Sequence, residues 1–206
     1  MSRRRLSIAA ALLTGVILLI GCTDETEEPP TFPEEGPYWL VISTGEGFLE
    51  DGDSDVPDGW VPLLTHEGGC SVAGYGLQID EPLEDARAVT AKGLEQVMES
   101  EDVQAADIRE EEFVISGGVS EEYDTLIPFL VADGLNDDGS EVRFASRAGS
   151  RVHYSSNVTT DLLHLRLACP GSIQERVWDE ARAGLRPGMS THGVTPDDPW
   201  GVLAVD

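Results

Sequence analysis

Apolar and polar positions alternate cleanly in only part of this chain, and the changes of period set its predicted elements. Tyr38-Trp39-Leu40-Val41-Ile42 is apolar throughout and predicts a short buried strand that opens the folded part. A loop rich in Gly and Asp follows, Gly45 to Gly59. Trp60 to Leu64 predicts a weak strand broken by Pro62, and Cys70 to Ile79 a strand with a bulge at its glycines, Gly74 and Gly76. An acidic connection leads to a strand at Phe113-Val114-Ile115. Leu126 to Ala132 is another apolar run, in which Pro128 predicts an edge or irregular strand.

Asn136-Asp137-Asp138-Gly139 is a turn, and the best-defined alternation comes after it. Val142 and Phe144 flank Arg143. Val152 and Tyr154 alternate with Arg151 and His153. Leu163, Leu165, Leu167 and Cys169 alternate with His164 and Arg166. Connections through Ala148-Gly149-Ser150 and through Ser155 to Asp161 predict a three-stranded antiparallel meander.

Two stretches change to the helical period. From about Pro82 to Ser100, Leu83, Ala86, Thr90, Leu94, Val97 and Met98 fall near one face. Pro82 suits a first helical position, Glu84 and Asp85 suit the positive end of the dipole, and Gly93 weakens the middle. The second helix follows Ser172, whose spacing to Glu175 is that of a capping box. Ile173, Val177, Ala181 and Leu185 form its stripe, widened by Trp178, and Gly184 or Gly188 ends it. Trp200, Val202 and Leu203 predict a docked last segment.

The longest apolar run is separate from all of these. Leu6 to Ile20 follows Arg3-Arg4-Arg5 and ends in Leu19-Ile20-Gly21-Cys22. It is short for a membrane span and fits an export signal. These residues resemble the lipobox of prokaryotic lipoproteins. The resemblance implies cleavage before Cys22 and a lipid on its sulfur; an ordinary signal peptide with a chance cysteine is the alternative. Ser2-Arg3-Arg4-Arg5-Leu6 also resembles a twin-arginine signal, and the strongly apolar core suits the general secretory route equally. Residues 1–21 are thus read as signal peptide, 22–37 as a lipidated acidic tether with Pro29, Pro30, Pro33 and Pro37, and 38–206 as a single domain.

Charge sharpens this picture. The chain carries 39 acidic residues against 13 Lys and Arg, a formal net charge of −26, and Lys92 is its only lysine. The surplus resembles proteins of salt-loving archaea or bacteria; an acidic secreted protein of a high-GC bacterium is the alternative. So negative a chain repels phosphate backbones, which argues against nucleic acid as a partner. The sign reverses locally. From Val142 to Arg186 there are seven arginines and four acids. Apart from Cys22, two cysteines remain, and an even pair outside the cytoplasm predicts a Cys70–Cys169 disulfide. Two buried thiols or a metal pair are the alternatives.

Candidate chemistry is sparse. There is no GxSxG elbow, HExxH or phosphate-binding loop, and His66, His153, His164 and His192 lack metal-ligand spacing. Alternating carboxylates at Asp51, Asp53, Asp55 and Asp58 can converge on a hard cation. That stretch resembles thrombospondin type 3 calcium repeats, which implies these four as calcium ligands; a solvated acidic loop is the plainer reading. Alternation also places Arg143, Arg151, His153, His164 and Arg166 together, away from the apolar side. Such a face needs something negative against it, either an internal acidic segment or an external acidic ligand or protein partner.

The sequence therefore predicts an α+β domain, an antiparallel-dominated sheet with two helices and one disulfide. The functional expectation is a membrane-tethered, extracytoplasmic lipoprotein, anchored in the outer membrane where the cell has one, with a binding or envelope-associated role. The alternative is a secreted hydrolase with a His/carboxylate site. No cofactor other than calcium is expected.

Overall fold

The computed structural model describes residues 39–41, 43–50, 56–57, 59–79, 83–116, 124–152, 158–188, 197–201 and 204–205. The signal, Cys22 and the tether lie outside the described residues. So do Asp51, Asp53, Asp55, Asp58 and His153. No helix among the described residues is long and apolar enough to cross a membrane.

The fold is α+β. In chain order the elements are β1 (Trp39–Val41), β2 (Phe48–Glu50), β3 (Val61–His66), β4 (Ser71–Ile79), α1 (Ala86–Ser100), β5 (Gln104–Ser116), β6 (Asp124–Leu135), β7 (Glu141–Val152), β8 (Val158–Ala168), α2 (Glu175–Gly184), β9 (Leu185–Pro187) and β10 (Ala204–Val205). The main sheet runs β2-β3-β4-β8-β7-β6-β5, all antiparallel. Parallel β10 joins it beside β7, and β1 pairs with β9 as a separate ribbon.

Both faces of the sheet are covered. One face carries Ala73, Leu130, Ala132, Val142 and Phe144, and α1 packs on it through Leu94, Val97 and Met98. The other carries Val72, Phe113, Phe129, Val131, Ala145, Leu163, Leu165 and Leu167, under Val177, Trp178 and Ala181 of α2 and Trp39 of β1. Cys70 and Cys169 are bonded at the ends of the neighbouring strands β4 and β8. The predicted crosslink is present.

Two glycines make room for close packing, one against a side chain and one against a backbone. A Cβ at Gly74 would sit 2.7 Å from Trp39 Cδ1, and one at Gly184 would collide with the Ser43 carbonyl. Gly74 thus serves packing rather than a bulge. The irregularity lies on β3, between Pro62 and Leu64, while β4 pairs with β8 without a break.

Several expected boundaries are corrected. Ala148-Gly149-Ser150 is not a turn, since β7 runs unbroken from Glu141 to Val152 and pairs along its length with β8. The meander is a long two-stranded hairpin. Helix α1 rests against β7 at Ala148, where Thr90 Oγ1 accepts from Ala148 N at 2.9 Å. Helix α1 starts at Ala86, where the Asp85 side chain caps it by accepting from Ala88 N at 2.9 Å; Pro82 lies outside the described residues. The Ser172–Glu175 capping box does not form. Gln174 is the N-cap of α2, and the Glu175 carboxylate is drawn instead to Arg143. Strand β5 is far longer than Phe113–Ile115; it is an edge strand on which Asp107, Glu110 and Glu112 are exposed, while Glu111 accepts from Trp178 Nε1 at 2.6 Å. A short β2 lies inside the expected Gly45 to Gly59 loop.

Strand β6 pairs with β7 only from Leu130 to Leu135; its first half keeps β5 alone. Pro128, which has no N–H to give, falls in that one-sided half. The main sheet forks here, and β10 takes the vacated place beside Ser150 and Arg151.

Candidate functional site

The predicted cationic face is not one face. Arg166 stands across from Phe144, and Arg143 across from Leu167. Directly paired residues share a side of the sheet, so Arg143 and Arg166 lie on opposite sides. Alternation fixes sides within a strand; only register fixes them between strands, and with both sides buried the apolar positions of β7 and β8 do not coincide. Arg151 belongs to β7 opposite Thr159, with its side chain outside the described residues.

Each described arginine of that set has an internal acidic partner. Arg166 Nε donates to Glu101 Oε2 at 2.7 Å. Burial dominates at Glu101 and raises its carboxyl pKa, against the opposing pull of Arg166. Arg143 bridges Asp133 to Glu175, donating to the latter at 2.8 and 3.0 Å, and stacks over Trp178. Burial works to lower the Arg143 value, but the two carboxylates outweigh it and hold it raised. The hydrogen bond from Arg143 leads the causes that hold Glu175 low.

His164 is sealed under α1 at 1% exposure. Its Nδ1 and Ser146 Oγ are 2.6 Å apart, and Tyr75 stacks on its ring at 5.7 Å. Burial lowers its pKa to about 4, so the ring is neutral at pH 7. Ser146 is likewise fully buried, which makes the pair a packing hydrogen bond rather than an open nucleophile and base.

At the fork in the sheet lies Arg147, fully buried and unnoticed in the sequence reading. Its Nη2 donates to Gly201 O at 2.9 Å, and its guanidinium lies 4.2 Å from the centre of the Trp200 ring. Burial lowers its pKa to about 10, with Asp198 and Glu110 opposing. Arg147 thus clamps the last segment over the place that β6 leaves.

Among the described residues a concavity lies elsewhere, between α1 and strands β4 and β8. It holds about 390 Å³ and is lined by Leu77, Ile79, Val89, Gly93 and Leu162, with Lys92, Gln96 and Thr160 as its polar groups. A Cβ on Gly93 would lie 2.9 Å from the Leu162 methyls and 3.5 Å from His164 Cε1. This glycine lets the helix settle onto β8, so the residue read as a weakness of α1 shapes the groove. The signals available in the sequence were the lone lysine and a glycine in the middle of an amphipathic helix. Nothing in a single sequence tied them to Leu77 or Leu162.

Among the described residues no group of three or more His, Cys, Asp or Glu could hold a metal ion. Comparison with protein-family models finds no match, and comparison with curated proteins finds none either.

Proposed function

We propose that this chain is a lipid-anchored, extracytoplasmic binding module, held to the membrane through Cys22 and the acidic tether that follows it. The observation that carries the reading is the Cys70–Cys169 bond. Such crosslinks persist in oxidising compartments, which agrees with the export signal read from residues 1–21. The binding role is supported by the groove beside α1, whose volume of about 390 Å³ lies within the range of small-molecule sites. The burial of Ser146 and His164 favours binding over a hydrolytic site.

The test is detergent phase partitioning of the exported protein and of Cys22→Ser, after feeding cells a labelled fatty acid. The wild type carries label and enters the detergent phase, and the variant carries none. A variant that still acquires label overturns the anchor.

A further inference from the structure

We propose that the groove between α1 and strands β4 and β8 takes the single tail of a monocarboxylate, with the Lys92 ammonium against its carboxylate. The inference rests on the binding-module reading and names the ligand class. The walls supply the tail site. Leu77 and Ile79 from β4, Leu162 from β8 and Val89 from α1 present hydrocarbon on three sides. Leu77 remains 37% exposed, so apolar surface is left for a ligand to cover. Gly93 contributes no side chain to the floor.

Charge supplies the head site. In a chain of net charge −26, cations are scarce. Arg87, Arg109, Arg143, Arg166, Arg176 and Arg182 each have a carboxylate partner. Lys92, the only lysine, has no ion pair among the described residues, and it stands at the groove with Gln96 and Thr160. A compact ammonium on a flexible stem suits a carboxylate at the end of a tail. The general acidity of the protein repels anions that cannot also bury hydrocarbon, so neither part of the ligand suffices alone. A volume of about 390 Å³ sits near the lower end for small-molecule sites. That size selects a free acid of middle chain length over a two-tailed membrane lipid.

The test uses the mature protein in lipid nanodiscs, with labelled octanoate and octylamine in equilibrium dialysis against empty discs. Octanoate should saturate a single site per chain, and octylamine should show only the uptake of the discs. Lys92→Gln should weaken octanoate by about tenfold, the loss of a charge-assisted contact, while Lys92→Arg stays within about threefold. Val89→Trp, which fills the groove from its helix side, should abolish saturable uptake. Melting curves of each variant report whether the fold is kept. The proposal is overturned by no saturable octanoate, by equal binding of octylamine, or by full binding in a Val89→Trp variant that melts like wild type. It is also overturned if only Cys22→Ser binds octanoate, which would make the chain's own lipid the occupant. Label on Cys22 is read in a separate experiment, so the anchor can stand while this inference falls.

Discussion

Arg166 Nε meets Glu101 Oε2 at 2.7 Å, joining β8 to the residue that caps the end of α1, with both side chains about nine-tenths buried. Breaking a buried pair leaves one charge without compensation, which costs about 3–5 kcal/mol. Glu101 modifies that expectation, because burial already raises its pKa and a proton relieves it. Arg166→Ala should therefore lose most stability near pH 7 and recover part of the loss as pH falls and Glu101 protonates. Urea unfolding at neutral and at acidic pH checks this. An equal loss at each would mean that packing, not charge, carries the effect.

The positions of these residues explain how far the sequence could be read. Period, turn residues and the cysteine pair depend on local chemistry, and they predicted two helices, an antiparallel sheet and the crosslink that the structure contains. Register depends on what lies above and below the sheet. In a one-sided sheet, Val142 and Phe144 would share the apolar side with Leu163 and Leu165, and the arginines would share the other. Here α1 and α2 bury both sides, so Phe144 pairs with Arg166 and the imagined face divides. The same cause hid β7. Ala148, Gly149 and Ser150 have the composition of a turn, but they continue the β7–β8 ladder, and α1 rests on it at Ala148. The groove stayed out of reach because its walls come from residues about eighty positions apart, such as Leu77 and Leu162.

The Cys70–Cys169 bond spans a sequence separation of 99 residues. In the chain-entropy account, a loop of that length stabilises by up to roughly 5 kcal/mol, with measured losses for native bonds of about 2–5 kcal/mol. The double variant Cys70→Ala/Cys169→Ala should lose an amount in that range, and reductant should leave its melting curve unchanged while lowering the wild-type midpoint. Non-reducing peptide mapping supplies the direct check. Free thiols at both positions in protein taken from the cell envelope would contradict the bond.

Asp102 has φ of 56°, where glycine is usual. It occupies the left-handed position of a Schellman ending to α1. Val103 N donates to Met98 O at 2.9 Å and Asp102 N to Glu99 O at 3.2 Å. A left-handed residue with a Cβ costs roughly 1–2 kcal/mol, partly offset in glycine by its greater unfolded-state freedom. Asp102→Gly should raise stability by about 0.5–1 kcal/mol, and Asp102→Ala should lower it. Asp102→Asn removes the charge and keeps a residue that tolerates this conformation, so it separates the two causes. Equal stability of the Gly and Ala variants would remove the backbone argument.

His164 gives the fold a dependence on acid. Its ring is neutral and sealed between Tyr75 and α1, and burial lowers its pKa to about 4. In the unfolded chain a histidine titrates near 6.5. Between these values the unfolded state holds a proton that the folded state refuses, so acid favours unfolding. The contribution of His164 is complete above about pH 6.5 and is lost as pH falls toward about 4, for a total of roughly 3 kcal/mol. Neighbouring groups act in other ways. Asp133 and Glu175, whose values are held low, lose their contribution below the ordinary carboxylate range. Glu101, whose value is raised, works in the opposite direction to all three as acid is added. His164→Gln keeps a polar group within reach of Ser146 and removes the titration. The variant should be less stable than wild type at pH 7, because it gives up the ring's packing against Tyr75. The gap should narrow by pH 4.5, where wild type has lost most of its histidine contribution. Chemical unfolding of both proteins across that range measures the gap directly. Parallel curves, with the same difference at every pH, would show that His164 is not the group that acid reaches.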